Sequence, residues 1–184
     1  MTAVPELSSV HVVEYDPDWP RRAASAIDAL RRAAPGLFVA IEHIGSTAVP
    51  GLVAKPVIDL MAAVPDLSHA RRHQAALAGL GFHPHDNGMN DRLLYVRADG
   101  GVRSHILHVV TLGSWPNRNQ RIFRDYLRGH PEDAARYAQL KRAIIAAGTA
   151  PGEYARAKTA LVQELTDRAR AQLGLPPEPV WEKQ

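Results

Sequence analysis

The chain has 184 residues, of which 46% are hydrophobic and 22% charged, and its formal net charge is +3. These values are ordinary for a single soluble domain with its own core, and the small excess of positive charge does not predict a nucleic-acid-binding protein. No apolar stretch approaches about 18 residues, so no membrane span is expected. There is no cysteine, which excludes disulfides and thiolate metal sites. Because the N-terminus also lacks the pattern of a secretory signal, we expect a cytoplasmic protein.

The first half of the sequence alternates predicted strands and helices. Residues 10–15 predict a short strand, and apolar residues at helical spacing predict a helix over 20–34. Two further strands are predicted at 37–44 and 57–64. The second of these is almost continuously apolar, which predicts burial on both faces. A helix over 68–78 is expected to follow.

A hairpin opens the second half, and helical patterns follow it. Strands over 92–97 and 102–112 flank the tight turn Ala98-Asp99-Gly100-Gly101. Helices are predicted near 118–128, 132–147 and 152–173. We therefore predict an α/β fold of the α+β kind, with a mixed β-sheet, flanking helices and a helical C-terminal part. Residues 1–174 are expected to form one domain, and 175–184 a loose proline-rich tail.

The turn at Gly45-Ser46 lies between two predicted strands and is a candidate phosphate-binding loop. Gly45 allows a ligand to approach the main chain closely, while Ser46 and Thr47 favour the start of a helical turn. Such a turn directs free N–H groups and hydroxyls outward, where an anion can bind. The spacing does not match a Walker A loop, since Leu52 stands where that motif has its lysine. The alternative is a plain turn with a plain cap.

Asp59 interrupts the apolar run of the strand over 57–64. A carboxylate there is costly unless it is paired, hydrogen-bonded or bound to a metal. Metal-dependent phosphoryl transfer commonly uses two carboxylates two residues apart on a strand, but the second position here holds Met61, a poor magnesium ligand. Two interpretations stay open: Asp59 is a ligand for a magnesium–phosphate complex, or it belongs to a buried pair with Lys55 or a C-terminal arginine.

Three histidines lie near these residues in the predicted sheet. His43 immediately precedes the turn, and His105 and His108 fall on opposite faces of the last strand, so these two cannot simply share one metal. A metal site made by His43, Asp59 and one of the other two is one hypothesis. The alternative is that all three are satisfied core or surface groups.

Four stretches together resemble the GrpB family: "HIGSTAVPGLVAKPVIDL", "HILHVV", "FRDYLRGHPEDAARYAQLK" and "YARAK". The resemblance runs from about Tyr15 to the last helix. It implies membership of the nucleotidyltransferase superfamily with a DNA polymerase beta type of fold, in which a Gly-Ser turn binds triphosphate and the next strand supplies paired aspartates. Asp59 matches the first aspartate, and Met61 departs from the second. The later strand carries histidines in place of a third acid, and Ile106 replaces the first histidine of the His-Leu-His that family members often show.

The resemblance and the residues together predict binding of a nucleotide or another phosphorylated small molecule, with nucleotidyl transfer as the enzymatic version. The expected phosphate-binding residues are Gly45, Ser46, Thr47, Lys55, Arg118, Arg121, Arg124 and Lys141. Asp59 is the candidate ligand for Mg²⁺, and His108 the candidate general base. Because some relatives are fused to a dephospho-coenzyme A kinase, the resemblance also implies a link to coenzyme A biosynthesis. The alternative is a non-catalytic ligand-binding or protein-interaction module that has lost metal-dependent transfer.

Overall fold

The computed structural model describes residues 11–86, 88–150 and 152–180. Within them the chain forms five strands: β1 (Ala40–Ile44), β2 (Ile58–Val64), β3 (His83–Pro84), β4 (Arg92–Asp99) and β5 (Val102–Thr111). It also forms six α-helices: α1 (Trp19–Ala33), α2 (Leu67–Arg72), α3 (Gln74–Gly79), α4 (Asn119–Gly129), α5 (Pro131–Ala146) and α6 (Thr159–Gln172). Short 3₁₀ segments cover Ser46–Ala48, Leu112–Asn117 and Arg156–Lys158. None of the helices in the described part is long and apolar enough to span a bilayer.

All five strands belong to one sheet in the order β1-β2-β5-β4-β3. The central pair β2 and β5 is parallel, and the other neighbouring pairs are antiparallel. The sheet is therefore mixed, which confirms the predicted fold class. As expected from its apolar run, β2 is buried on both faces, and only Asp59 within it retains partial exposure.

Helices cover both faces of the sheet. One face packs its apolar side chains, including Leu60 and Leu107, against α1 with Trp19 and Leu30 and against the α2–α3 region. The C-terminal helices form a second core with the segment that links β1 and β2. Because that linking segment lies between the two layers, the Ser46–Ala48 turn sits where the sheet meets the C-terminal helices.

Two predicted elements of the first half are wrong in detail. Val10 lies outside the described residues, and the rest of the predicted strand over 10–15 contributes a single bridge, Val13 to Ala54. The predicted helix over 68–78 is interrupted at His73, whose ring Nδ1 bonds to the backbone oxygen of His69 at 2.8 Å. Such a local bond competes with continuation of the helix. The hairpin is confirmed, with a register irregularity between Arg97 and Ala98.

The C-terminal part is helical, as predicted, but the helix predicted over 152–173 begins only at Thr159, after the 3₁₀ segment Arg156–Lys158. The end of the chain is not loose where the structure describes it. The backbone N–H of Val180 donates to Gln163 on α6 at 2.7 Å, and Arg170 donates to the Pro176 carbonyl at 2.6 Å. Arg170 also pairs with Glu178 at 2.8 Å. The segment 175–180 therefore lies along α6. The remainder of the predicted tail, 181–184, is outside the described residues.

Candidate functional site

The Ser46–Ala48 turn follows β1 directly, and Gly45 sets its direction. Gly45 has φ +72° and ψ −172°, a conformation that L residues essentially never adopt. A Cβ at this position would lie 2.6 Å from Oδ2 of Asp59, so the absence of a side chain lets β2 bring its carboxylate against the turn. The sequence predicted this turn, and the structure shows that the glycine is required by the aspartate.

The Asp59 carboxylate lies on the floor of a cleft between the sheet and the C-terminal helices. It takes part in none of the ion pairs found among the described residues. Burial raises the pKa of Asp59 to about 7. The surrounding cations oppose that shift, and in decreasing order of effect they are Lys158, Arg103, Lys55 and Lys141. The pairing with an arginine that the sequence left open does not occur among the described residues, and Lys55 acts on Asp59 through its charge.

These cations line a cavity of about 230 Å³ beside the turn. Its wall contains Ser46, Thr47, Asp59 and the four cations named above. A second cavity of about 330 Å³ continues from it and shares Ser46, Asp59 and Lys158. The second cavity is more apolar, with Phe123, Leu127, Tyr137 and Val162 in its wall. The cleft thus has a cationic end at the turn and an apolar end under α4 and α6.

Lys141 reaches the turn from α5 and is 1% exposed. Its Nζ donates to Ser46 Oγ at 2.6 Å and to the Val53 carbonyl at 2.8 Å, and it lies 4.2 Å from the centre of the Tyr137 ring. Burial, reinforced by the charge of Lys158, lowers the pKa of Lys141 to about 6. This lysine therefore has little net charge at neutral pH before a ligand binds.

Lys158 and Lys55 flank the Tyr154 ring, with their Nζ atoms 4.3 and 4.4 Å from its centre. Lys158 comes from the 3₁₀ segment before α6, and Lys55 from the segment before β2. Burial lowers the pKa of Lys158 to about 8, against the opposing effect of Asp59. Tyr154 therefore fixes two cations at the mouth of the cleft.

The strand register decides which histidines can reach the cleft. His108 pairs with Met61 and Ile44 with Asp59, so these four side chains share the face that carries the cleft. His43 points to the opposite face, where its Nε2 lies 2.9 Å from Thr47 Oγ1. His43 and Asp59 therefore cannot hold one metal together, and that hypothesis is wrong.

His105 lies on the same face as His43, edge-on to Phe82 at a centroid distance of 6.1 Å. His108 is in the wall of the apolar cavity, and burial lowers its pKa to about 3. Its Nδ1 is buried without a hydrogen-bond partner within the described residues. His108 is thus a neutral group facing the cleft, and its role as a general base stays a prediction.

The three candidate arginines of the C-terminal part are held in ion pairs. Arg121 and Arg124 both bind Glu42 on β1, at 2.9 and 2.8 Å, and Arg124 also donates to the His43 carbonyl at 2.8 Å. Arg118 pairs with Asp91 and donates to Ser114. Arg124 is in the wall of the apolar cavity, and Arg118 in that of a neighbouring one. These arginines dock the helices onto the sheet, whereas the cations around Asp59 are the lysines and Arg103.

The donor set does not fit a resident pair of metal ions. Asp59 is the single carboxylate of the cationic cavity, and the position two residues later holds the fully buried thioether of Met61. No cluster of three or more histidine or carboxylate side chains with metal-binding geometry occurs within the described residues. Lysine and arginine charges around Asp59 repel a free cation. The cationic cavity suits an anion.

Sequence reasoning missed three residues of the cleft. Lys158 and Tyr154 lie in the "YARAK" stretch, which contributed only to the family resemblance, and Arg103 lies at the start of β5. The signal available in the sequence was the presence of Lys141, Tyr154 and Lys158 inside the motifs that resemble the family. Local periodicity does not reveal that α5 and the segment before α6 converge on β2.

Comparison with known proteins agrees with this architecture. The family described as GrpB protein matches residues 9–168. The chain belongs to the GrpB family. UPF0157 protein PA4798 of Pseudomonas aeruginosa is 38% identical over 169 residues, which are 88% of this chain and 68% of that protein. The crystal structure of conserved protein GrpB from Enterococcus faecalis has a TM-score of 0.81 at 26% identity, covering 89% of this chain and 99% of that one.

A third relative has a more informative name. It is a protein of Mycolicibacterium paratuberculosis named dephospho-CoA kinase, 27% identical over 160 residues. The match spans 72% of this chain but 39% of that protein, so this chain is similar to one part of it.

Proposed function

We propose that the protein binds a phosphorylated small molecule, with nucleotides as the leading class, in the cleft between the sheet and the C-terminal helices. The observation that carries this proposal is the cavity beside the Gly45 turn, in which Lys55, Arg103, Lys141 and Lys158 surround one carboxylate. A phosphate bound there relieves the mutual repulsion of the lysines and accepts hydrogen bonds from them and from Ser46. Its negative charges offset positive charge in the cavity wall.

The apolar cavity that continues from this point suits the rest of such a ligand. Phe123 and Val162 offer flat and aliphatic surface, and Gln120 offers an amide that can bond to a heterocycle. A nucleotide with its phosphates at Ser46 would extend towards these side chains. The family resemblance supports the same orientation, since it implies a superfamily in which a Gly-Ser turn binds triphosphate.

In this proposal Mg²⁺ binds only together with the phosphorylated ligand. Asp59 and phosphate oxygens together can hold one ion, although Asp59 is the single carboxylate among the described residues of the cavity wall. Binding without nucleotidyl transfer is the form that the donor set favours. Coenzyme A precursors are included as candidate ligands because a relative is named dephospho-CoA kinase.

The ligand class can be tested by thermal unfolding in the presence of nucleotides, coenzyme A precursors and sugar phosphates, each with and without Mg²⁺. A ligand at 100 times its dissociation constant stabilises the fold by about 2.7 kcal/mol, which is roughly 5–10 °C for a domain of this size. Lys158→Met is expected to weaken binding by about 10- to 100-fold, since one charge-assisted hydrogen bond contributes about 1.5–3 kcal/mol.

Arg142→Met is the matched control for this test. This substitution also removes one positive charge, but Arg142 pairs with the exposed Glu14 at 2.8 Å, and neither residue is in the cavity wall. Binding is expected to be nearly unchanged in this variant. Absence of any shift with all phosphorylated compounds, or an equal loss in the two variants, would contradict the proposal.

Ligand binding is also expected to take up protons. A bound dianion favours the protonated forms of Asp59 and Lys158, whose pKa values in the free protein are about 7 and 8. Affinity should therefore fall as the pH rises from 7 to 9, where a phosphate monoester is already dianionic, by at most about tenfold per pH unit for each proton. Calorimetry in two buffers with different ionisation heats measures the number of protons taken up. An affinity that stays flat or rises over this range would contradict the expected coupling.

A further inference from the structure

The contact between Ser46 and Lys141 joins a hydroxyl at the turn to a lysine that is shielded from water. The Lys141 Nζ is 2.6 Å from Ser46 Oγ, and its second bond, to the Val53 carbonyl, fixes its position. Phosphate binding at the cavity mouth does not require so deeply buried a lysine. The geometry instead satisfies the first requirement for an activated nucleophile, which is a base within hydrogen-bond reach of a hydroxyl.

The protonation state of Lys141 fits that role. Burial and the neighbouring charge of Lys158 lower its pKa to about 6, so the amine is mostly neutral at pH 7. A neutral amine keeps two N–H donors and gains a lone pair. One N–H can remain on the Val53 carbonyl while the lone pair accepts the hydrogen of the Ser46 hydroxyl. An ammonium group has no lone pair and cannot accept that proton.

Ser46 is also accessible to a substrate. The residue is half-buried and contributes to the walls of both the cationic and the apolar cavity. Lys158 and Arg103 lie in the wall of the cationic cavity that Ser46 shares. A substrate with an electrophilic carbon at Ser46 and an anionic leaving group towards those cations would match the cavity at both positions.

We propose that Ser46 is a nucleophile, that Lys141 is its general base, and that the substrate is an acyl phosphate. Ser46 Oγ attacks the acyl carbon, and its proton passes to Lys141 Nζ. The bond between the acyl carbon and the phosphate oxygen breaks, and the phosphate leaves towards Lys158 and Arg103 with the electron pair of that bond. The products are a serine ester and a phosphate. The leaving phosphate takes up the proton held by Lys141, which returns the amine to its neutral form. Water then hydrolyses the ester, or another nucleophile takes the acyl group. Lys141 accepts the proton of that nucleophile and passes it to Ser46 Oγ as the ester bond breaks.

The choice of an acyl phosphate rests on the proposed phosphate-binding function, whereas the Ser46–Lys141 pair does not. The acyl carbon is uncharged and next to an anionic leaving group that the lysines attract. Attack at phosphorus would bring the nucleophile towards the negative oxygens instead. The two parts of the proposal therefore need two probes, one with a phosphate and one without.

The test incubates the full chain with acetyl phosphate or with 4-nitrophenyl acetate, which lacks phosphate, and locates adducts by intact mass and peptide mapping. An acetyl ester on Ser46 is expected with both probes, with faster labelling by acetyl phosphate. Hydroxylamine removes an ester but not an amide, so it separates a Ser46 ester from acetylation of a lysine. Inorganic phosphate is expected to slow labelling by acetyl phosphate.

Variants separate a general base from a structural lysine. Ser46→Ala and Lys141→Arg are expected to abolish the ester, because a guanidinium keeps the positive charge but accepts no proton. Ser114 is the matched control, since its Oγ contacts Arg118 at 2.8 and 3.1 Å rather than a lysine. Ser114 should carry no adduct in the wild type, and Ser114→Ala should leave Ser46 labelling unchanged. Unfolding curves for each variant report whether it is folded.

A pH profile tests the wild type without any substitution. The labelling rate of Ser46 is expected to fall about tenfold per pH unit as the pH drops below 6, because Lys141 becomes protonated. The charged and titratable groups that face Lys141 across the cavity are Lys158, Asp59, Lys55, Arg103, Tyr137 and Tyr154. Tyr137 keeps its proton in this range, since burial raises its pKa to about 12.

Each outcome bears on a separate part of the proposal. No Ser46 adduct with either probe, or equal labelling of Lys141→Arg, overturns the nucleophile while the phosphate-binding result stands on its own. An ester from 4-nitrophenyl acetate but none from acetyl phosphate overturns the acyl phosphate as substrate. A phosphoserine at position 46 overturns attack at carbon.

Discussion

Asp59→Asn is expected to increase the free energy of unfolding of the ligand-free protein by up to about 4 kcal/mol above pH 7. Burial raises the pKa of Asp59 from 3.8 to about 7, and every tenfold change in proton affinity corresponds to about 1.4 kcal/mol. The folded state then binds more protons than the unfolded state between these two pKa values. The stability that the protonated carboxyl contributes is complete below pH 4 and is lost as the pH rises to 7. Asparagine has no charge to bury, so it avoids this loss.

The measurement is denaturant unfolding of the wild type and Asp59→Asn at intervals from pH 4 to pH 8. The two curves should coincide at the acid end and separate as the pH rises. Asp28→Asn, on the exposed side of α1, is the control and should change stability by less than about 0.5 kcal/mol at every pH. If Asp59 were instead half of a buried ion pair, its substitution would strand the lysine and lose about 3–5 kcal/mol. A loss of that size would contradict the site described here.

The same variant separates two roles of the carboxylate in ligand binding. If Asp59 holds Mg²⁺ together with phosphate, the Mg²⁺-dependent part of ligand stabilisation should disappear in Asp59→Asn. Binding of the phosphate without metal should persist or improve, because one negative charge facing it is gone. Mg²⁺-dependent stabilisation that survives in the variant would exclude Asp59 as the metal ligand.

Gly45→Ala is expected to destabilise the protein by at least about 3 kcal/mol. Its backbone conformation alone disfavours alanine by about 1–3 kcal/mol, and the new Cβ would lie 2.6 Å from Oδ2 of Asp59. Neither the buried β2 nor the turn can move away without loss of packing. Chemical denaturation of the variant measures the effect, and ligand binding should be lost together with the geometry of the turn.

Gly51→Ala is the matched control, since Gly51 has φ +77° and a Cβ there would meet nothing within 4 Å. Only the cost of the backbone conformation remains, and the loss should be about 1–2 kcal/mol. Adding Asp59→Ala to Gly45→Ala removes the carboxylate oxygen from the contact. The double variant should therefore lose less than the sum of the two single changes, by about 0.5–3 kcal/mol. Strict additivity would show that the contact with Asp59 is not what requires glycine.

Local patterns were sufficient for the central elements of the fold. The apolar run of β2 predicted a strand buried on both faces, and the turn residues at Gly100 and Gly101 predicted the hairpin, because both signals depend on residues adjacent in the chain. The strand over 10–15 was wrong for the same reason, since a short branched stretch shows β propensity whether or not a neighbouring strand has room for it. Its described part forms one β-bridge, between Val13 and Ala54, and no strand pairing extends from it.

Local patterns also predicted some residues of the candidate site. Gly45, Ser46 and Asp59 were predictable because a turn between strands and an acid within an apolar strand are visible in the sequence itself. The alternation of side chains also placed His105 and His108 on opposite faces, which the register confirms. Lys55 and Lys141 were predicted as phosphate contacts, and the structure places both in the wall of the cationic cavity, where their binding role remains a prediction.

Only the tertiary structure decided which positively charged side chains form ion pairs and which line the cavity. Arg121 and Arg124 were predicted from the sequence as phosphate contacts, but Glu42, 79 residues before Arg121, binds both of them across the layer between α4 and β1. Lys158, in contrast, lines the same cavity as Asp59 and acts on it through its charge. The sequence determined β1, β2, the β4–β5 hairpin, the turn and the buried acid, because these depend on neighbours along the chain. Which cations face that acid depends on how distant helices pack against the sheet, and no local pattern contains that information.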